Sequence, residues 1–492
     1  MNRFVRSAKL ASLPALVISL INFSPIYTSV AGTGSPSATS GRQARVLPSR
    51  LPGARAFISY RDAQGVGCRE AAQEEAGTLL RRSLQSLHVI SAEGSSRRLN
   101  LEPESAGLQI VLRATDQIEN FPAAKTAFLN AAARWESLIS SPITVVIDVD
   151  FGPTWFGERF DANVLGQTDS QVVGDNSIYS DVRDALLGLG ATDDRAETYS
   201  QLPLSLVPTN IGATSYVLAP SALWRALGFL ASVADPTGEQ RDLGDPPAVG
   251  FNSAFNYDFD PSDGIDSNKI DFDSVAVHEL GHVLGFDSNT GYNELVPSFP
   301  VAVSVWDIFR FRPGTTLATF AAQPRILTSG GRQDYFDGGR ELALSTGRPD
   351  GTGGDRQQAS HWKDDRLTGQ YVGIMDPTLA DGQRDLITDN DLAALRSFGY
   401  AIAGGTSASG PTIANASFNG AKLKIKGAGF AGAVQVEING QVVASSIEIT
   451  VNGSGKKLQL RAGQSELNLH AGDNEVVVIV NGVRSNSFAL AL

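Results

Sequence analysis

Cysteine is almost absent from this sequence. Cys68 is the single cysteine among 492 residues, so the chain cannot close an internal disulfide or build a cysteine-rich zinc module. Any structural metal must therefore be held by histidine or carboxylate side chains.

Positive charge is also scarce. The 40 lysines and arginines are outnumbered by 52 aspartates and glutamates, which gives a formal net charge of -12 at pH 7. An acidic chain without a basic patch is repelled by phosphate backbones and by anionic lipid surfaces. We therefore expect neither nucleic acid nor a membrane surface as a partner.

Long apolar runs are missing except near the N-terminus. There, three basic residues precede an apolar stretch at 10–21, and small residues follow as far as Ala31. This order is typical of an export signal, so we expect a signal peptide at 1–31 and a secreted, extracellular protein. The alternative, a membrane anchor, needs about 20 continuous apolar residues, and Pro25 interrupts this run.

The chain is too long for one core, since single hydrophobic cores stop growing at about 250 to 300 residues. Changes in composition predict a leader or pro-segment at 32–105, a large domain at 106–402, a Gly/Ser-rich linker at 403–410 and a smaller domain at 411–492. Hydrophobic periodicity predicts strands at 108–112 and 143–151 and helices at 70–87, 122–139, 180–187 and 221–233. The large domain is thus expected to be α+β.

The C-terminal domain has the pattern of an all-β sandwich. Alternating apolar residues recur between Asn-Gly pairs that begin at 419, 439, 452 and 481, as in antiparallel hairpins. Residues 427–430, 436–440 and 480–485 resemble the immunoglobulin-like fold written IPT/TIG. An immunoglobulin-like sandwich with an accessory role is therefore expected.

The strongest chemical signal is the sequence HELGHVLGF at 278–286. Its HExxH pattern places His278 and His282 on one helix face, where both imidazoles can bind a single zinc ion, with Glu279 beside it as the general base. The alternative is a chance match with solvated side chains. The apolar residues along this helix, and Gly285 where it must end, favour the metal site.

A catalytic zinc usually has three protein ligands and one open position. Three other histidines are available: His88 in the leader, His470 in the sandwich, and His361. The short-spaced metzincin pattern would require a histidine at Ser288, and neither Glu294 nor Glu341 suits a glutamate ligand. His361 remains as the third ligand.

Four motifs in order resemble the leishmanolysin-like metzincins. HELGHVLGF is followed by Ser360-His361-Trp362, with His361 79 positions after His282 (361 - 282), then by the sequence GIMDP at 373–377 and a capped helix at 387–400. The resemblance implies an α+β zincin fold over 106–402, a catalytic zinc on His278, His282 and His361, and Met375 as the methionine turn. The alternative interpretation of Met375 is an ordinary core residue.

Two weaker signals have ordinary alternatives, which the sequence favours. Four acidic residues before the HExxH helix could bind calcium. The favoured alternative is a solvated acidic loop. The four residues are Asp258, Asp260, Asp263 and Asp266. Cys68 could place a thiolate on the zinc, as in matrixins, but residues 66–70 lack the matrixin motif. An ordinary free cysteine is therefore expected.

The sequence as a whole predicts a secreted zinc-dependent endopeptidase that acts on protein or peptide substrates. A different class, an adhesion or binding protein on a metzincin scaffold, would have no need for Glu279 beside the metal. A hydrolase of other amides is a third hypothesis. Residues 306–309 are a candidate pocket wall, although such a run is more often core.

Overall fold

A computed structural model describes residues 56–62, 65–71, 75, 86–91, 107–175, 178–191, 195–260, 263–347, 354–403, 411–430, 434–444, 446–452, 456–480, 483–485 and 488–492. All of them belong to the compact unit Gln43–Leu492. The signal peptide, residues 32–52 and most of the linker lie outside the described residues, so those expectations stay predictions. Among the described helices, none is long and apolar enough to cross a bilayer.

The described part of the chain up to 403 is mixed α and β. Its strands are β1 Ala56–Asp62, β2 Gly65–Glu70, β3 His88–Val89, β4 Gln109–Ala114, β5 Thr144–Gly152, β6 Thr154–Trp155, β7 Glu158–Arg159, β8 Val164–Asp169, β9 Val172–Asp175, β10 Val217–Pro220, β11 Ala248–Asn252, β12 Tyr257–Asp258, β13 Ile270–Asp271, β14 Val303–Ser304, β15 Arg310–Phe311, β16 Asp334–Phe336, β17 Glu341–Ala343 and β18 Thr378–Leu379. Its helices are α1 Pro122–Leu138, α2 Tyr179–Gly190, α3 Arg195–Ser200, α4 Ser221–Ala226, α5 Pro236–Leu243, α6 Phe272–Leu284, α7 Tyr292–Leu295, α8 Asp365–Thr368 and α9 Asp389–Phe398, with 3-10 turns at Asp116–Asn120 and Trp306–Phe309.

The largest sheet in the described residues has eight strands, in the order β18-β2-β1-β8-β11-β5-β4-β3. Strands β4, β5 and β11 are parallel, whereas β8 runs antiparallel to β11. The apolar residues of β5 fill the core against α1 and α6. The HExxH helix, α6, therefore packs against this sheet.

Helix α1 fixes the position of α6. The Trp135 indole donates to the carbonyl of Val277 at 3.0 Å, and Arg134 pairs with Asp273 at 2.8 Å. Phe128 meets Phe272 edge-on, with 5.1 Å between ring centroids. The face of α1 that carries Phe128 and Trp135 thus packs against the helix that carries the candidate ligands.

Several predicted elements are confirmed. The strands at 108–112 and 143–151 are β4 and β5, and the helices at 122–139 and 180–187 are α1 and α2. The helix at 221–233 is wrong in its second half, because α4 ends at Ala226 and Gly228 adopts a φ of 80° that a helix cannot continue.

The boundary placed at 105/106 does not coincide with a structural boundary. Strands β1, β2 and β3 precede it, yet all three lie in the eight-stranded sheet. Glu70, the first residue of the helix predicted at 70–87, is the last residue of β2, and most of that run lies outside the described residues. The local sequence pattern did not predict this pairing, because β1 and β2 pair with strands that lie 100 or more positions away in the chain.

The C-terminal residues form strands only, in the described part. They are β19 Thr412–Phe418, β20 Leu423–Ala428, β21 Val434–Ile438, β22 Gln441–Val442, β23 Ile449–Val451, β24 Lys457–Leu460, β25 Asp473–Val480, β26 Val483–Arg484 and β27 Phe488–Ala491. Two antiparallel sheets share one apolar core. Asn439 and Gly440, with φ of 53° and 78°, turn β21 into β22 as the Asn-Gly pattern predicted. The structure agrees with an α+β domain followed by a β-sandwich, and the metzincin and immunoglobulin-like assignments stay predictions.

Candidate metal centre

Helix α6 brings His278 and His282 together. It begins after Asp271, whose side chain accepts from the backbone N–H of Asp273, and it ends at Gly285, where φ is 134°. The two histidines are one turn apart on a helix whose every residue is buried, and their ring centroids are 5.0 Å apart. The predicted helix, its end and its shared histidine face are confirmed.

His361 joins them from a loop far along the chain. Its ring centroid lies 5.1 Å from that of His278 and 5.0 Å from that of His282. The carbonyl of His361 accepts from Ser345, and the next N–H, that of Trp362, donates to Met375 at 3.0 Å. The three predicted ligands therefore converge, whereas His88 faces Glu119 at 2.8 Å, away from this cluster.

Each of the three imidazoles uses its Nδ1 atom on a backbone carbonyl. His278 contacts Ile374 at 2.8 Å, His282 contacts Phe286 at 2.7 Å, and His361 contacts Gln358 at 2.9 Å. A neutral ring that donates from Nδ1 has a lone pair on Nε2. Burial lowers the pKa of all three rings, which keeps them neutral near pH 7.

The donor set fits a zinc ion. The Nε2 atoms of His278 and His361 are 3.1 Å apart, and two lone pairs at that distance repel each other unless a cation lies between them. Two ligands of a tetrahedral zinc with bonds of about 2.0 to 2.1 Å would be roughly 3.3 Å apart. Carbonyl partners that fix the second ring nitrogen are also what metal-bound histidines usually have.

Glu279 lies in the same buried site. Its Oε2 atom accepts from the Thr168 hydroxyl of β8 at 2.6 Å, and its Oε1 atom accepts from the Ser59 hydroxyl of β1. Its negative charge reaches the ring of His278, where it opposes the effect of burial on the pKa. Neither Thr168 nor Ser59 was singled out from the sequence, since no local motif marks them.

Met375 lies directly beneath the helix. A Cβ atom added to Gly281 would be 2.5 Å from the Met375 sulfur, so the helix and the methionine are in close contact. Met375 is fully buried, and its backbone binds the residue after His361. Met375 therefore contacts the helix that carries two candidate ligands, and its role as a methionine turn stays a prediction.

Asp391 fixes the loop that carries these residues. This fully buried carboxylate accepts from the Trp362 indole at 2.7 Å, from the Ile374 N–H at 2.9 Å and from the Thr388 N–H at 2.7 Å. It thus joins the segment of His361, the segment of Met375 and the start of α9. Sequence reasoning identified the cap of this helix but missed the link to Trp362.

Cys68 is a free, buried cysteine, as expected, but it lies beside the candidate ligands. Its sulfur lies 3.7 Å from His282 Nε2, and the ligand atoms of Cys68 and the three histidines all lie within 4.8 Å of one another. Burial raises the pKa of the thiol well above its usual value, and the charge of Glu279 adds to this. Sequence analysis weighed such a contact but did not favour it, because residues 66–70 lack the matrixin motif.

The four candidate calcium ligands do not come together. Two groups of potential metal ligands occur among the described residues, and Asp258, Asp260, Asp263 and Asp266 belong to neither. The Asp258 carboxylate instead accepts from the backbone of Asp260 and Asp266, at 3.2 and 3.0 Å. Residues 306–309 are fully buried core rather than a pocket wall.

Comparison with known proteins assigns no family. No protein-family model matches the chain, and no curated protein matches it. Among solved structures, SGBP-B from a complex xyloglucan utilization locus in Bacteroides uniformis is similar at 12% identity over 33% of this chain, with a TM-score of 0.15. The chain spans 44% of that protein's length. A likeness this weak carries no argument about fold or function.

Proposed function

We propose that the chain is a secreted zinc-dependent endopeptidase that cleaves protein or peptide substrates. The observation that carries the proposal is the convergence of His278, His282 and His361, with Glu279 buried beside them. The resemblance of the motif order to leishmanolysin-like metzincins supports the same assignment, and so does Met375 under the helix.

The residues divide the chemistry between them. Zinc held by the three imidazoles would polarise a peptide carbonyl and lower the pKa of a bound water from 15.7 to about 7. Glu279 takes the proton of the attacking water and delivers it to the leaving amine. Thr168 holds the carboxylate of Glu279 in position through Oε2.

A second candidate is a non-catalytic binding protein with a structural zinc. It is favoured by one observation, the fourth potential ligand Cys68, because structural zinc sites are closed by four protein ligands. A buried base has no role in such a site, so Glu279 favours the enzyme.

Metal content and casein hydrolysis test the proposal. The purified chain is compared with the variants Glu279→Gln and His361→Ala, and with His88→Ala as the control for loss of a histidine outside the cluster. Hydrolysis is measured with and without an organomercurial, since a thiol lies against the site.

We expect one zinc in the wild type and in His88→Ala, and casein cleavage by both after mercurial treatment. Glu279→Gln should keep the zinc and lose about 10²- to 10⁴-fold in rate, the usual contribution of a general base. His361→Ala should lose the zinc. A zinc-loaded wild type that cleaves nothing under either condition would instead support the binding protein.

A further inference from the structure

A pocket adjoins the candidate base. Its lining includes His278 and Glu279 of α6 together with two carboxylates, those of Asp376 and Asp385. Apolar residues also line it, namely Val66, Val275, Ile374 and Leu379. A substrate side chain next to a bond held at Glu279 would enter this pocket.

The backbone of Asp385 is fixed to helix α6. Its N–H donates to the Ser274 hydroxyl at 2.8 Å. Ser274 lies one turn before His278 on the same face of the helix. This contact therefore keeps Asp385 about one helical turn from a candidate metal ligand.

The chain does not neutralise the two carboxylates. Asp376 accepts from neutral donors, which are two backbone N–H groups and the Thr378 hydroxyl. Asp385 is partly exposed, and its carboxylate accepts no hydrogen bond from the described residues. Neither carboxylate forms an ion pair within the described part of the chain, since the neighbouring Arg384 binds Asp271 at 2.8 and 2.9 Å.

The pKa values of both groups reflect this excess of negative charge. Burial raises the pKa of Asp376 to about 7, and the charge of Asp365 adds to this effect. Burial raises the pKa of Asp385 to about 8, and among neighbouring charges that of Asp376 has the largest effect. The two carboxylates therefore repel each other, and a cation bound in the pocket would stabilise the charged form of both.

Apolar walls together with unneutralised carboxylates are complementary to a lysine or arginine side chain. The alkyl stem of either residue packs on apolar surface while its charged head reaches a polar partner. An aliphatic side chain would leave the carboxylates without a partner, and an acidic one would be repelled. The pocket is thus suited to a long cationic side chain.

We propose that this pocket selects the substrates of the proposed peptidase, and that it takes a lysine or arginine side chain beside the cleaved bond through Asp385 and Asp376. This inference rests on the proposed function. Asp385 binds the cationic head directly, because its carboxylate has no other partner among the described residues. Asp376, already held by neutral donors, adds its charge.

Peptide binding to an inactive form tests the pocket without reference to turnover. Zinc-loaded Glu279→Gln is titrated calorimetrically with two capped alanine heptapeptides, one with a central lysine and one with a central norleucine. The same titrations are made with Glu279→Gln/Asp385→Asn, and with Glu279→Gln/Asp263→Asn as the control for loss of an exposed carboxylate outside the pocket.

We expect the lysine peptide to bind Glu279→Gln and the control at least about tenfold more tightly than the norleucine peptide. In Glu279→Gln/Asp385→Asn the ratio of the two dissociation constants should fall to less than about threefold. Equal binding of the two peptides, no binding of the lysine peptide, or a ratio that Asp385→Asn leaves unchanged would each overturn the proposal.

Cleavage sites in casein separate this inference from the proposed function. They are mapped by mass spectrometry for the zinc-loaded wild type, Asp385→Asn and Asp263→Asn after mercurial treatment. We expect lysine or arginine to be enriched at one fixed position beside the cleaved bond in the wild type and in Asp263→Asn, and this enrichment to be lost in Asp385→Asn.

Cleavage by the wild type without enrichment of a basic residue would refute the selective pocket and leave the peptidase proposal intact. If the zinc-loaded wild type cleaves nothing, the peptidase proposal fails instead. The ratio of dissociation constants then still decides whether the pocket takes a cationic side chain.

Discussion

The candidate metal centre depends on single atoms whose hydrogen-bond partners are fixed. The Nδ1 atoms of His278, His282 and His361 are committed to backbone carbonyls, so each ring has one nitrogen left for a metal. Close packing adds a second constraint, because Gly281 leaves no room for even a methyl group above Met375. Residue identity at these positions is therefore set by contact rather than by helix propensity.

Gly281→Ala should destabilise the fold. Alanine favours a helix over glycine by about 1 kcal/mol, but its Cβ would be 2.5 Å from the Met375 sulfur. Overpacking of this kind costs about 1 to 3 kcal/mol, which urea unfolding of the zinc-loaded protein would measure. In a Met375→Ala background the same change should become neutral or stabilising. Additive effects of the two substitutions would contradict the contact.

Asp376 should make stability depend on pH. Burial, and then the charge of Asp365, raise its pKa to about 7, against about 3.9 in an unfolded chain. Folding favours the protonated form of Asp376. Its contribution to the free energy of unfolding is therefore full below about pH 4 and is lost as the pH rises through about 7. Asp376→Asn should reduce the loss of unfolding free energy between about pH 5 and pH 8 by up to a few kcal/mol. The exposed control Asp263→Asn should show the wild-type dependence.

At the scale of elements, the centre is assembled by parts far apart in the chain. Helix α6 supplies two histidines and the glutamate, the loop after β17 supplies His361, and the β1–β2 hairpin supplies Cys68. Asp391 at the start of α9 holds the loops of His361 and Met375 together through hydrogen bonds from Trp362 and Ile374. The position of His361 relative to the other candidate ligands thus depends on Asp391, which is not itself a candidate ligand.

Asp391→Ala should therefore weaken both the fold and the metal site. It leaves buried donors on Trp362, Ile374 and Thr388 without their acceptor, and each such loss costs about 1 to 3 kcal/mol. We expect a lower unfolding free energy and weaker zinc retention in competition with a chelator. Asp389→Ala, in the same helical turn but only partly buried, is the matched control and should retain zinc like the wild type.

At the scale of the whole molecule, the two largest apolar cores of the described residues lie in different parts of the chain. One is built by the eight-stranded sheet with its helices, and the other by the two sheets of residues 411–492. All four clustered ligand residues belong to the first part. The candidate metal centre is therefore built from residues of the first part alone.

A chain that ends after Gly410 should still bind one zinc. Its core keeps all of its own residues, because the second core contains only residues from 411–492. Zinc stoichiometry and the cobalt spectrum of the truncated and full chains should agree. Loss of metal on truncation would show that the sandwich is needed for the fold of the first part.

The sequence by itself determined the features that depend on the order of neighbouring residues. The period of 3.6 residues and Gly285 predicted α6 with two histidines on one face, and alternation with Asn-Gly turns predicted the C-terminal strands. Elimination among five histidines predicted His361, and the resemblance to leishmanolysin-like metzincins implied Met375 as the methionine turn. These are properties of spacing and residue type, which do not require knowledge of distant contacts.

Only the tertiary structure decided which distant strands meet. The hairpin at 56–70 lies beside β8 and β18, and this pairing places Phe57, Ser59 and Cys68 on the metal centre. Thr168 and Asp391 reach their partners in the same way. Strand pairing follows from the burial of a whole sheet face, so no short window of sequence around Cys68 could reveal that its thiol lies 3.7 Å from His282.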